Sequence, residues 1–141
     1  MFNYESIIPN HNMKLIDPYY DFVRSGKKKY EIRINDEKRQ KFQIGDFINI
    51  QYREKYDNNL IKPDYIVQVT EKNLFNTFRE AITDSGIESV LPNAYNLEEG
   101  IRLYETLSHR DGTYQEAALK YGVVRFKFKL VWFSTTMSPN I

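Results

Sequence analysis

The sequence predicts an α+β domain of about five or six short strands interrupted by helices, compatible with a small mixed β-barrel. Three observations carry that expectation. From Val124 to Trp132 apolar residues alternate with Arg125, Lys127 and Lys129, the period-two mark of a strand. Asn96 with Glu99, and Thr113 with Glu116, have the spacing of helix N-caps. Elsewhere, short alternating runs are separated by glycine, proline and asparagine turns.

Taken in order, an arm runs to about Asn12 and a short strand covers Met13 to Ile16. Pro18 to Ser25 reads as a short helix ended by Gly26, because glycine enters the left-handed conformation without a Cβ clash. Tyr30, Ile32 and Ile34 then mark a half-buried strand whose other face carries Glu31 and Arg33. Asn35 to Arg39 is too polar for the core and predicts a loop, after which Gly45-Asp46 turns into a strand from Phe47 to Tyr52. Asp57, Asn58 and Asn59 mark another turn. Tyr65 to Thr70 is strand-like with Tyr65, Val67 and Val69 on one face, and Leu74 to Ile82 predicts a helix with Phe75, Phe78 and Ile82 in register. Asn96 opens a helix to about Ser108 with Leu97, Ile101, Tyr104 and Leu107 along one stripe, mildly weakened by Gly100. Thr113 opens another that stops before Gly122. In the last strand Val124, Phe126, Phe128, Leu130 and Trp132 face inward and the three basic residues outward. The tail from Ser134 to Ile141 lacks apolar periodicity and is expected to be poorly ordered.

A chain of 141 residues buries roughly two-thirds of its unfolded surface, enough for one core, here residues 13 to 133. No cysteine is present, so thiol nucleophiles, disulfides and cysteine-ligated zinc are excluded. No segment has the length and hydropathy of a membrane span, and the expected address is the cytoplasm or nucleus. The formal net charge of +1 hides a partition. Residues 24 to 41 carry eight cationic side chains against three acidic ones, a net +5, whereas residues 80 to 116 carry two against eight, a net −6. Such polarity orients a molecule on a polyanion, basic segment first. The bland alternative makes Lys27 and Lys29 a solvated rim.

The densest chemistry lies in Gly26-Lys27-Lys28-Lys29-Tyr30-Glu31-Ile32-Arg33. Gly26 lets a backbone turn and a ligand come close. Arg33 offers a planar fork for phosphate, carboxylate or a base edge, whereas Lys28 is a compact charge whose pKa shifts readily on burial. Glu31 neutralises both, and a plain Glu31–Arg33 surface pair is the competing account. By parity Lys28 falls on the apolar face with Tyr30 and Ile32 unless the strand begins after it, and a lysine there requires a carboxylate neighbour.

The spacing of Gly26, Lys28, Glu31 and Arg33 fits G-x-K-x-x-E-x-R, and here the sequence resembles the ASCH domain family of PUA-like small barrels. The likeness continues through Met13 to Ile16, Ile44-Gly45-Asp46, Val90-Leu91-Pro92, the helix from Leu97 to Leu107 and Tyr121 to Val124, covering residues 13 to 131. It implies a PUA-like barrel with a cleft between barrel and flanking helices, lined by the motif. Some relatives are amidohydrolases acting on N4-acetylcytidine, with a threonine nucleophile three residues after the motif lysine. Glu31 stands at that position here, which makes the mechanism unsafe to carry over.

The resulting expectation is an RNA- or nucleotide-binding module with no cofactor or metal. Gly26, Lys27, Lys28, Lys29, Tyr30, Glu31, Arg33, Lys38 and Arg39 are its candidate contacts. The first alternative is a hydrolase acting on a modified nucleoside or on RNA; as a ribonuclease it would use Lys28 to stabilise a phosphorane and Glu31 to take a proton from a 2′-hydroxyl. The second is a protein-interaction domain that uses the acidic helices between residues 80 and 116. Tyr19, Tyr20 and Tyr30 flank the basic turn and are candidates for stacking on a base. His11 and His109 are isolated in the sequence and read as surface residues.

Overall fold

The computed structural model describes residues 7–53 and 61–133. The turn expected at Asp57 to Asn59, the start of the arm and the tail after Phe133 lie outside the described residues. The strands are β1 (His11–Leu15), β2 (Tyr30–Ile34), β3 (Phe47–Tyr52), β4 (Tyr65–Phe75), β5 (Ser108–His109), β6 (Gly112–Thr113) and β7 (Val123–Phe133). The helices are α1 (Tyr19–Ser25), α2 (Glu37–Gln40), α3 (Phe78–Ser85), α4 (Ile87–Val90), α5 (Leu97–Glu105) and α6 (Tyr114–Tyr121).

Five strands form one sheet in the order β1-β3-β4-β7-β2, and β5 pairs with β6 in a small hairpin. The β1–β3 pair is parallel, and the other pairs in the large sheet are antiparallel. Register shifts at Ile66/Val67 and Val69/Glu71 mark irregularities of the kind that bend a strand and increase its twist. The two edge strands, β1 and β2, both line one cavity, so the sheet curls round without closing into a hydrogen-bonded barrel.

Cross-strand register decides what faces the interior of this curl. Glu31 lies opposite Phe126 and Arg33 opposite Val124, whereas Ile32 lies opposite Arg125 and Ile34 opposite Val123. Phe126 and Val124 pack with Met13, Ile48, Ile50 and Val67 in the inner core. Ile32, Ile34 and Val123 pack outward on Phe78, Ile82, Ile101 and Ala117 beneath the helices. Both faces of β2 are therefore covered, and its two polar residues point inward.

The structure corrects several expectations. Leu74 and Phe75 continue β4 instead of opening a helix, because they pair with Val124 and Val123 of the long partner strand. The helix starts at Phe78 under a Thr77 cap. Asn35 to Arg39 includes a helical turn, for Asp36 accepts from the Arg39 N–H as its cap. Arg125 is buried, not outward in solvent, because α3 covers that face of β7. Gly100 permits close packing: a Cβ there would lie 2.2 Å from Ile87 Cδ1. The Thr113–Glu116 capping box forms, and Asn96 caps α5 by accepting from the Glu99 N–H. Both histidines are partly buried and tied down, His11 to Asp46 at 2.7 Å and His109 to Asp36 at 3.0 Å. Among the described residues no helix is long and apolar enough to cross a membrane, and no cluster of metal-ligating side chains occurs.

Candidate functional site

The site begins where α1 stops. Gly26 takes φ 83° at the helix end, and nothing lies within 4 Å of where its Cβ would be. The chain then runs outside regular structure until β2 begins at Tyr30, so Lys28 escapes the strand's parity. Backbone bonds fix this segment: the Lys28 N–H donates to Phe22 O at 3.0 Å and the Lys29 N–H to Ser89 O at 2.7 Å. Lys28 turns inward and is 5% exposed, while Lys27 and Lys29 face solvent.

Inside, Lys28 Nζ donates to Val90 O at 2.5 Å and to Tyr104 Oη at 3.2 Å. It stands 3.8 Å from Glu31 Oε2, and Arg33 Nε donates to Glu31 Oε1 at 3.0 Å. Burial pulls the Lys28 ammonium below its ordinary pKa, with Glu31 acting in the opposite sense. For Glu31 burial favours the neutral acid, but Lys28 and then Arg33 outweigh it and hold the carboxyl below the usual range. Burial, seconded by Glu31, pushes the Tyr104 hydroxyl well up, so it stays protonated.

These groups lie along a cavity of about 370 Å³, within the range of small-molecule sites. Leu91, Leu103, Leu107, Tyr104 and Tyr114 give it an apolar side from α5 and its neighbours. Lys14 of β1 and Arg53, which follows β3, add charge, so four cationic side chains meet one carboxylate. Leu103 and Leu107 are 46% and 47% exposed, leaving apolar surface open at the cavity. The arrangement offers a desolvated acceptor and donor, an apolar wall, and cations for an anionic group.

Of the sequence candidates, Lys28, Glu31 and Arg33 come together in the cavity, and Tyr19 joins them. Lys27, Lys29, Lys38 and Arg39 do not line it; Lys38 is exposed on α2, and Arg39 lies 5.1 Å over the Phe42 ring. Tyr30 points to the other face of β2, 4.3 Å beneath the Arg125 guanidinium, because strand parity separates it from Glu31. Tyr20 is 1% exposed between Tyr52 and Tyr65, which removes it as a stacking surface. Sequence reasoning missed Lys14, Arg53 and Tyr114 and read Tyr104 only as core. The outward parity of Lys14 between Met13 and Leu15 was the one local signal, and it pointed to solvent.

The family model described as the ASCH domain matches residues 13–131. Among solved structures, the chain is similar to the hypothetical protein PH0355, with TM-score 0.68 and 30% identity over 86% of this chain and 98% of that one. Protein PF0455 from Pyrococcus furiosus gives TM-score 0.62 and 29% identity over 85% and 96% of the two chains. Protein EF3133 from Enterococcus faecalis V583 gives TM-score 0.54 at 17% identity over 94% and 86%, a likeness of fold alone. None of the curated proteins matches the chain.

Proposed function

The chain belongs to the ASCH domain family, and from that premise we propose that it binds RNA or nucleotides, seating one nucleotide in the cavity between β1 and β2. The observation that carries this reading is the convergence of Lys28, Glu31 and Arg33 beside an apolar wall in a cavity whose charge is net cationic. A base has an apolar face for Tyr104, Tyr114 and Leu103 and a polar edge for the buried pair. Its phosphate meets Arg33, Lys14 and Arg53, where the planar guanidinium forks suit phosphate oxygens.

Thermal unfolding with nucleosides, nucleotides and short RNAs tests the proposal. A ligand bound to the folded form alone raises the midpoint, by about 2.7 kcal/mol of stabilisation at a hundred times its Kd. Lys28→Met is expected to cut that stabilisation to about half or less at the same ligand concentration. A second reading is hydrolysis of the nucleotide or RNA in the same cavity, favoured by the lowered pKa of Lys28 beside an ionised Glu31. Product accumulating over time, and stopped by Glu31→Gln with binding retained, decides for it; binding without turnover decides against.

A further inference from the structure

Helix α2 brings two cations without ion-pair partners to the rim of the cavity. Only Asn35 and the capping Asp36 separate it from β2, so Lys38 and Arg39 stand just beyond the strand that supplies Arg33. Arg39 lies over the Phe42 ring at 5.1 Å, and Phe42 packs 5.4 Å from Phe126, the cross-strand partner of Glu31. That chain of contacts sets the Arg39 guanidinium within the curl of the sheet, on the Glu31 and Arg33 side of β2. Burial and then Arg33 pull Arg39 below its ordinary pKa, while Arg39, burial and Arg33 in turn do the same to Lys38, as cations do when they crowd together. Lys14 acts on Lys38 in the same sense, so these cations adjoin those already placed in the cavity.

The nearby carboxylates are already engaged. Glu31 accepts from Arg33 Nε, Asp36 accepts from the Arg39 N–H and pairs with His109, and Glu37 pairs with Arg110. Among the described residues neither Lys38 nor Arg39 has an ion pair, and Arg39 Nη1 is buried without a hydrogen bond. Arg33 lines the cavity with its side chain 21% exposed and uses only Nε on Glu31, which leaves both terminal nitrogens for a guest. Like charges held together repel, and an anion set among them turns that repulsion into attraction. Arg33 and Arg39 offer planar forks matched to phosphate oxygens, and Lys38 adds a compact charge from the solvent side. A single phosphate at Arg33, Lys14 and Arg53 leaves Lys38 and Arg39 unused.

We infer that Arg33, Arg39 and Lys38 form a second phosphate subsite at the rim of the cavity, so that the protein takes nucleotides carrying two neighbouring phosphates in preference to one; the inference rests on the nucleotide-binding reading above. The second phosphate is the β-phosphate of a free nucleotide or the next phosphate along a strand. Calorimetric titration of the full chain at one fixed salt concentration separates the two sources. One arm compares the 5′-mono- and 5′-diphosphates of the same nucleoside, and the other compares dinucleotides with and without a 5′-phosphate. In at least one arm the added phosphate is expected to tighten binding about tenfold, as one charge-assisted contact does. A gain in the diphosphate arm alone means that the ligand arrives free, a gain in the dinucleotide arm alone that it arrives on a strand, and a gain in both that the subsite accepts either. Arg39→Gln is expected to bring the ratio of the two affinities close to one. Lys38→Ala, at an exposed position, should cut that ratio to about half or less, and decides alone if Arg39→Gln does not fold. Lys129→Ala removes an exposed cation from β7 and should leave the ratio as it was. Monophosphates that bind as tightly as their diphosphates, together with dinucleotides indifferent to the 5′-phosphate, overturn the inference while the binding proposal stands. A gain undiminished by the α2 variants, or diminished equally by Lys129→Ala, overturns it too. No binding by any nucleotide or dinucleotide overturns both.

Discussion

Arg125 and Glu31 are buried polar residues on the same β2–β7 ladder, one facing outward beneath the helices and the other inward toward the cavity, and their surroundings differ in one decisive way. Arg125 donates to Asp84 and Ser85 at 2.7 Å each and to Asn73 at 3.0 Å, with its guanidinium over Tyr30 and Phe75, so that among the described residues its Nε alone goes without a partner. Nothing in that network opens on a cavity of the site. Among the described residues Glu31 has one donor and an unmatched Oε2, and it lines a guest-sized cavity. A nearly satisfied buried charge ties elements together, here α3 to the sheet. An under-satisfied one beside a cavity leaves an acceptor that the fold does not use, as the proposed binding function requires.

Breaking the outer network should have the largest effect on stability. Arg125→Ala removes three hydrogen bonds and the packing over Tyr30, and is expected to cost about 2–3 kcal/mol in urea unfolding, since its acidic partner Asp84 is itself exposed. Nucleotide affinity should be unchanged; a loss would mean that the two faces are coupled. Lys28→Met inverts the pattern. It removes an ammonium that burial disfavours but also two hydrogen bonds and the first of the charges that hold Glu31 ionised, so with Arg33 still in place the cost should be about 1–2 kcal/mol, below that of Arg125→Ala. Ligand affinity should fall about tenfold or more, roughly 1.4 kcal/mol or above, as read by calorimetry.

Salt sharpens the comparison at the next level of magnitude. Affinity for a short single-stranded RNA should fall with salt at a slope of about −0.7 per phosphate neutralised, and Lys14→Ala combined with Arg53→Ala should make that slope shallower by roughly 1. Arg125→Ala should leave it untouched.

The smallest effect is at acid pH. Lys28 and then Arg33 hold Glu31 below its ordinary pKa against the opposing pull of burial, so its contribution to stability is fully present above the unfolded value of about 4.3. That contribution is lost as pH falls through the lower folded value. Denaturant melts across this range should show a shallower acid limb for Glu31→Gln than for the unaltered chain, with Asp36 and Asp46, both also held low, supplying what remains.

The inner half of the comparison was largely legible in eight consecutive residues: a helix stop, a turn and a strand start place Gly26, Glu31 and Arg33 by local rules, whereas those rules leave Lys28 between the apolar face and the cavity, and only Val90 and Tyr104 hold it. The outer half was not. Arg125 follows the same alternation as Lys127 and Lys129, and no local pattern tells that α3 will cover its face. The cavity's other cations were hidden for a related reason: Lys14 and Arg53 meet the motif because the sheet curls until its two edges share a space, a property of strand order and bend. Phe75 misled because its spacing to Phe78 and Ile82 has helical period, whereas ten register partners along β7 hold it in a strand. Tyr104 was correctly placed on an apolar stripe, yet its hydroxyl reaches Lys28 from 76 residues away.

Amide chemical-shift mapping with a short single-stranded RNA addresses most directly the claim that the buried pair, and not the exposed basic turn, receives the ligand. The account predicts perturbations concentrated at Lys28, Glu31, Arg33, Tyr104 and Tyr114, with those at the cavity requiring about ten times more RNA or above in Lys28→Met. Perturbations confined to Lys27, Lys29 and Lys38, or no perturbation at all, would contradict it.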